Sequence, residues 1–387
     1  MTSDKKIRGR IPAPFKRTFI IDGVPQPLTP EAMLADCAGR ELPPPPPAGP
    51  ERPEPVADET VDLAPGAFPD DGTPPLNYLP TVLGALGAPR RYPVNFPESY
   101  ACSRVAAALL ETLFRTGHFK LDDLSADLEW NWDSAPIGNM AALYAGVQAV
   151  CEYIGDLGIR LRKWSYTEAE TCSISVKAGL SGGDPVPEDE LEEEDSGKPR
   201  FGRKRLCPAT FRPLASDWIL FIPFDSCQPR LGGSVLAEAL DVPSATAPDI
   251  ADADYFIDCY EVVRELMEDG VVKAGAAVGP GGLLTALSGM RGEEGIGAAI
   301  DLSGLQKSWE ETLPVRVLYG EVPGVLIEIA DIDFDYVDAE LLLQDVAYFP
   351  IGHPSPGQDG ITLLSGEKKL GIATILDSLL SASEGED

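Results

Sequence analysis

Histidine is almost absent from this 387-residue chain: His118 and His353 are the only two. Two imidazoles so far apart leave little basis for a histidine metal centre or a Cys-His relay. Positive charge is scarce as well, 31 basic against 62 acidic residues, a formal net of −31. Such a surface repels nucleic-acid backbones and anionic membranes, so neither is expected as a partner. No run reaches the ~18 apolar residues of a membrane span. The basic start "MTSDKKIRGRIPAPFKR" lacks the apolar stretch of a secretory signal. The seven cysteines, at 37, 102, 151, 172, 207, 227 and 259, form no C-x-x-C pair. An odd, scattered set argues against a disulfide framework or a zinc site, and several sit in apolar runs as small buried side chains do. A reducing, cytoplasmic setting is expected.

What is present is a globular composition. Hydrophobic residues make up 44% of the chain, and the length suits two domains with their own cores. Residues 1–54 read as an extended arm with one short apolar piece, "RTFIIDGV". It ends in "ELPPPPPAGPERPEP", whose five consecutive prolines favour a polyproline rod, a spacer or docking ligand. Residues 55–180 read as a first domain. "ESYACSRVAAALLETLFRTG" and "NMAALYAGVQAVCEYIGDLGI" have helical apolar spacing, and "TCSISVKAGL" alternates like a strand. Residues 181–210 hold an acidic and then a basic block, a charged linker loop or a charge-mediated docking site. Residues 211–387 alternate strands and helices, which points to an α/β domain. Its strands are read at "DWILFIPF", "KAGAAVG", "AAIDL", "VRVLYG" and "GVLIEIA". Its helices are read at "DYFIDCYEVVRELMEDG", "GGLLTALSGM", "DAELLLQDV" and "LGIATILDSLLSA".

Six landmarks in order across residues 55–345 carry a family resemblance. "PVAD" (Pro55–Asp58) is similar to a P-V-A-D opening strand, and "RVAAALLETLF" to a helix reading roughly E-A-L-T-N-L. "LEWNWDSAP" resembles a G-N-W-M turn at Asn131 and Trp132, where the pair is expected to stabilise a turn and fill the core. "PRLGGSVLAEAL" is similar to R-L-G-G-S-A-L-A-Q at Arg230–Ser234. "GPGGLLTALSGM" lies where H-D-x-S-D-G-G-L-L is expected. "LYGEVPGVLIEI" is similar to F-A-E-E-x-G at Glu321 and Gly324. Together they resemble the C-terminal half of formylglycinamidine ribonucleotide synthase, within the aminoimidazole ribonucleotide synthase-related superfamily. The resemblance implies an α+β / α/β fold of two domains. The first is a mixed sheet that pairs with a like domain into a barrel, and the second is an α/β domain beside it.

The family's chemistry is phosphoryl transfer from ATP, with magnesium held by carboxylates. Of the four ligand positions the resemblance implies, Asp58 is present. The helix positions are Ala108 and Thr112, and Ala276 and Ala277 stand where His-Asp is expected, followed by Gly279 and Pro280. Lys163 and Ser165 echo a G-K-D-S-L segment, with Trp164 in place of its aspartate. Gly281 and Gly282 remain for close strand–helix approach and still open a helix with free N–H groups. The vestigial cofactor-binding set is thus Asp58, Gly281, Gly282 and Arg230, with no catalytic residue and no metal ligand set. The "DIDFDYVD" carboxylates lack the glycine and closing glutamate of a calcium loop, and "GMRGEEGIG" lacks a P-loop ending.

The expectation is therefore a degenerate, non-catalytic relative of the synthase, acting as a binding or structural protein. It would be a homodimer through the first domain, with a protein partner at the proline-rich arm or the charged loop and no cofactor. Relatives without catalytic residues include tegument proteins of some herpesviruses, which extends the expectation to a viral protein and a virion location. The alternative is an active ATP-dependent ligase of purine biosynthesis, or a subunit of one. It would use ATP and Mg²⁺ on a site rebuilt from Asp58, Glu129, Asp133 and Asp225.

Overall fold

The computed structural model describes residues 13–41, 54–62, 68, 72–181, 206–242, 246–292 and 295–364. The proline run, the two charge blocks and "LGIATILDSLLSA" lie outside the described residues. Residues 13–41, reckoned with the extended arm, are folded. β1 (Phe19–Ile21) turns through Asp22 and Gly23 into β2 (Val24–Pro25). α1 (Pro30–Cys37) starts where the Thr29 hydroxyl accepts the Ala32 N–H and Pro30 presets the first turn. β3 (Val56–Asp58) then runs parallel to β1, completing a sheet in the order β2-β1-β3. The segment is anchored by apolar burial: Phe15 and Phe19 are inaccessible, with ring centres 5.1 Å from Tyr166 and 5.2 Å from Tyr144.

The rest of the first unit is α2 (Leu79–Leu86), α3 (Pro97–Arg115), β4 (Leu124–Trp132), α4 (Asn139–Asp156), β5 (Arg160–Glu168) and β6 (Ser173–Leu180). β4 is central, parallel to β5 and antiparallel to β6. Its alternation separates the two faces: Leu124, Ala126, Leu128, Trp130 and Trp132 are buried, whereas Glu129 is exposed. α3 packs on β6, and α4 packs on α3 and β5. Asn131 and Trp132 end β4. The Trp132 indole donates to the Asn139 carbonyl (2.8 Å) and is fully buried, so Trp132 ties the strand end to the head of α4 and fills the core, whereas Asn131 is only partly buried. The sheet is open; among the described residues no barrel closes.

The second unit contains β7 (Trp218–Pro223), α5 (Val235–Ala239), α6 (Ala253–Glu268), β8 (Val272–Val278), α7 (Gly282–Met290), β9 (Gly297–Ile300), α8 (Ser303–Ser308), α9 (Pro314–Tyr319), β10 (Gly324–Ile329), α10 (Phe334–Leu343), β11 (Phe349–Ser355) and β12 (Ile361–Leu363). Six strands form one mixed sheet in the order β12-β9-β11-β7-β10-β8. Only β12 and β9 pair in parallel; the other neighbours are antiparallel, so the unit is α+β in its hydrogen bonding. "VRVLYG", expected as a strand, is helix α9. Its alternation imitates a strand, but Pro314 occupies the first helical position and Val315, Val317, Leu318 and Tyr319 are all buried.

Candidate functional site

Gly279–Gly282 carry the chain from β8 directly into α7. Gly281 (φ 83°) and Gly282 (φ 71°) are both left-handed. A Cβ on Gly282 would lie 2.5 Å from the Leu318 carbonyl oxygen and 2.8 Å from the Tyr319 Cα, so the turn requires glycine where α9 passes. A helix head presents unpaired N–H groups and the positive end of the dipole, which favour an anion. Here the anion is the chain's own. Glu321 Oε1 accepts the Gly281 N–H (2.9 Å) and the Val235 N–H at the head of α5 (2.6 Å). Glu321 Oε2 lies 3.7 Å from Arg90 Nη1, and Arg90 also contacts Glu238 and the Gly233 carbonyl.

The segment around α2 covers this turn. Val82 is fully buried, and a Cβ on Gly281 would lie 3.0 Å from its Cγ1. The Tyr319 hydroxyl donates to the Pro75 carbonyl (2.9 Å), and Tyr78 meets the Tyr319 ring edge-on at 6.5 Å. Glu321 was legible only as part of a motif. Its role depends on three loops meeting in space, and no local pattern announces it.

Arg230 is held inside the second unit. Its Nη1 lies 3.3 Å from Glu311 Oε2 and 3.0 Å from the Pro229 carbonyl, and Arg316 shares the same Glu311 oxygen at 3.1 Å. The rest of that motif is structural. Gly232 donates to the Thr246 carbonyl (2.8 Å) at a distance no side chain would permit, and the Ser234 hydroxyl caps α5 by accepting the Ala237 N–H.

Asp58 sits at the head of α4. Its Oδ1 accepts the Gly138 N–H (2.7 Å), and its Oδ2 accepts those of Met140 (2.8 Å) and Ala141 (3.0 Å). A carboxylate with three amide donors at a helix N-terminus is a strong cap. α3 and β8, which carry Ala108 and Thr112 and Ala276 and Ala277, pack together: a Cβ on Gly279 would touch Ala107 Cβ at 3.2 Å. The Thr112 hydroxyl donates to the Leu109 carbonyl of its own helix (2.6 Å).

The residues of the rebuilt site are dispersed. Glu129 is exposed on the open face of β4, and the Asp133 carboxylate accepts the Ala135 N–H in the following turn. Asp225, after β7, is buried and accepts the N–H groups of Cys227, Ala251 and Asp252; burial pushes its carboxyl above the usual range. Among the described residues, no three His, Cys, Asp or Glu side chains are grouped to hold a metal ion. No described helix is long and apolar enough to cross a membrane.

Residues 220–350 match the family "AIR synthase related protein, C-terminal domain". The chain is 26% identical over 259 residues to the probable chloroplastic/mitochondrial phosphoribosylformylglycinamidine synthase of Arabidopsis thaliana, covering 63% of this chain and 17% of that protein. It is 25% identical over 252 residues to the Drosophila melanogaster phosphoribosylformylglycinamidine synthase, covering 62% of this chain and 18% of that protein. It thus spans less than a fifth of the length of these relatives. Among solved structures, T. maritima PurL complexed with FGAR aligns with a TM-score of 0.51 at 10% identity, over 70% of this chain and 42% of that one. That overlap shows a shared fold. Motif order, matched domain and fold agree in one likeness: residues 220–350 match the AIR synthase-related C-terminal domain, and the chain is similar to phosphoribosylformylglycinamidine synthases over about 63% of its length.

Proposed function

We propose that this chain is a non-catalytic relative of phosphoribosylformylglycinamidine synthase that keeps the scaffold and acts through protein contacts, as a binding or structural component. The observation that carries this reading is the loss of carboxylates at the implied ligand positions, Ala108, Thr112, Ala276 and Ala277, with Asp58 turned to α4; Glu321, a residue of the family motif, is bonded to the heads of α5 and α7 beneath α2. A triphosphate seeks such amides. At this turn it would meet a negative charge, replace two hydrogen bonds of 2.6 and 2.9 Å and displace Val82. Magnesium dehydrates reluctantly and wants carboxylates free to face it. Asp58 directs both its oxygens at α4, and the other positions implied by the resemblance carry methyl and hydroxyl groups. The residues present do not fit a magnesium–triphosphate group, and no reaction step is derived through one.

In this reading the chain pairs with a second copy along an open edge of the β5-β4-β6 sheet, since an unpaired edge offers free backbone groups. The proline run and the charged segment are the proposed contacts to another protein. Calorimetry with ATP and Mg²⁺ tests the central point. No binding heat is expected from the wild-type chain; micromolar affinity lost in Asp58→Ala, or turnover of ATP, overturns the reading and favours an active ligase. Sedimentation velocity checks the pairing: a dimer is expected, and a monomer at all concentrations rejects it.

A further inference from the structure

Two of the scattered cysteines lie near each other. Cys37 is the last residue of α1 and Cys151 lies in the fourth turn of α4, and these helices pack against each other. Both thiols are half-buried in the wall of one cleft of about 560 Å³, together with Leu28, Tyr144 and Asp156. The two thiols are near enough to perturb each other's titration, downward at Cys37 and upward at Cys151. By contrast, Cys102, Cys172, Cys227 and Cys259 are buried, and Cys207 lines a separate cleft.

We infer that Cys37 and Cys151 form a reversible disulfide that fastens the N-terminal segment, residues 13–41, onto α4. Position supports this: Cys37 ends its helix, where the backbone adjusts readily to disulfide geometry, and the ring closed between 37 and 151 is long, which favours stabilisation. The neighbouring Cys151 pulls the Cys37 thiol below its ordinary pKa, against opposing effects of burial and of Asp36, and Cys37 raises that of Cys151. Attack by Cys37 with Cys151 resolving, or the reverse, gives the same disulfide. Asp36, Glu152 and Asp156 line the cleft and disfavour anionic oxidants, so the oxidant is a small neutral peroxide. In the first case the Cys37 thiolate attacks one peroxide oxygen, the O–O bond breaks, and hydroxide leaves and takes up a proton. The Cys151 sulfur then attacks the Cys37 sulfenic sulfur, gives up its proton, and water leaves. Two thiols and one hydrogen peroxide become one disulfide and two waters.

The test treats the reduced full chain with hydrogen peroxide, alkylates the remaining thiols under denaturing conditions and maps tryptic peptides. Two thiols are expected to become unreactive, with a Cys37–Cys151 linked peptide that dithiothreitol releases. Oxidation should raise the thermal midpoint by several degrees in the wild-type chain, and in neither Cys37→Ser nor Cys151→Ser. Seven alkylatable thiols after treatment, a linkage elsewhere, over-oxidation of either thiol with the other still free, or a linked chain with an unshifted midpoint each overturn the inference. The wild-type peptide map decides the matter even if a variant folds poorly.

Discussion

Replacing Glu321 with alanine probes the seat at the glycine turn. The carboxylate satisfies two amides, at 2.6 and 2.9 Å, in a place where Val235, Gly281 and Gly282 are buried. Leaving a buried donor unpaired costs about 1–3 kcal/mol, so two cost roughly 2–6 kcal/mol in total. Arg90 loses its strongest charge partner as well, with its Nη1 buried, so the figure for the two amides is a lower bound. Strain does not confuse the result: Glu321 has φ 53°, and alanine is as strained there as glutamate. Global melting of a two-unit chain need not be two-state. The assay is therefore amide hydrogen exchange at Gly281 and Val235. A loss of that size corresponds to at least a tenfold faster exchange at both amides, since about 1.4 kcal/mol is one factor of ten. Glu321→Gln, which keeps an acceptor oxygen, should fall between alanine and wild type. Exchange unchanged within twofold in Glu321→Ala would refute the reasoning, because the carboxylate would then not be holding the helix heads.

Three further outcomes follow from the same contacts. Gly282→Ala combines a left-handed backbone, about 1–2 kcal/mol, with a backbone clash at 2.5 Å; it should lower the urea midpoint of the second unit strongly or prevent its folding, and a near-normal midpoint would show that α9 can yield. Asp58→Ala removes an acceptor for three amides and should destabilise the first unit by roughly 2–4 kcal/mol in urea melts; a neutral effect would free Asp58 for another role. Glu328 is inaccessible, and burial, opposed by the Arg212 N–H and aided by nearby Asp217, lifts its pKa from 4.5 to about 8. Because the folded value is raised, its stabilising contribution is complete below pH ~4.5 and is lost as pH rises through 8; at ~1.4 kcal/mol per unit the ceiling is about 5 kcal/mol. Urea melts at pH 5 and pH 8.5 should therefore show a steeper decline for wild type than for Glu328→Gln, and parallel slopes would contradict this.

Local pattern reached the elements whose faces differ most. The alternation of β4 and the helical spacing of α3, α4 and α6 are visible in single segments, because each places one apolar face on the core. α9 was misread because Val315, Val317 and Tyr319 alternate like a strand, while Pro314 at the first helical position and the burial of the adjacent Leu318 suit a helix. The folded N-terminal segment was hidden because β1 finds its parallel partner only at β3, beyond the proline run. The site was legible as positions and not as bonds. Gly281, Gly282, Arg230 and Asp58 could be located by motif, but their partners Glu321, Glu311 and the head of α4 are distant in sequence. The nearness of Cys37 and Cys151 likewise depends on the packing of α1 on α4 and has no local signature.

The most direct test of the account is whether the glycine turn can take a divalent cation with its triphosphate. Manganese stands in for magnesium, and electron paramagnetic resonance reports its bound state. Titrating the full chain into Mn²⁺ and ATP should leave the spectrum that of the free nucleotide complex. A protein-bound manganese–ATP signal at one per chain, abolished by Asp58→Ala, would contradict the claim that the scaffold has lost the carboxylates that hold the cation.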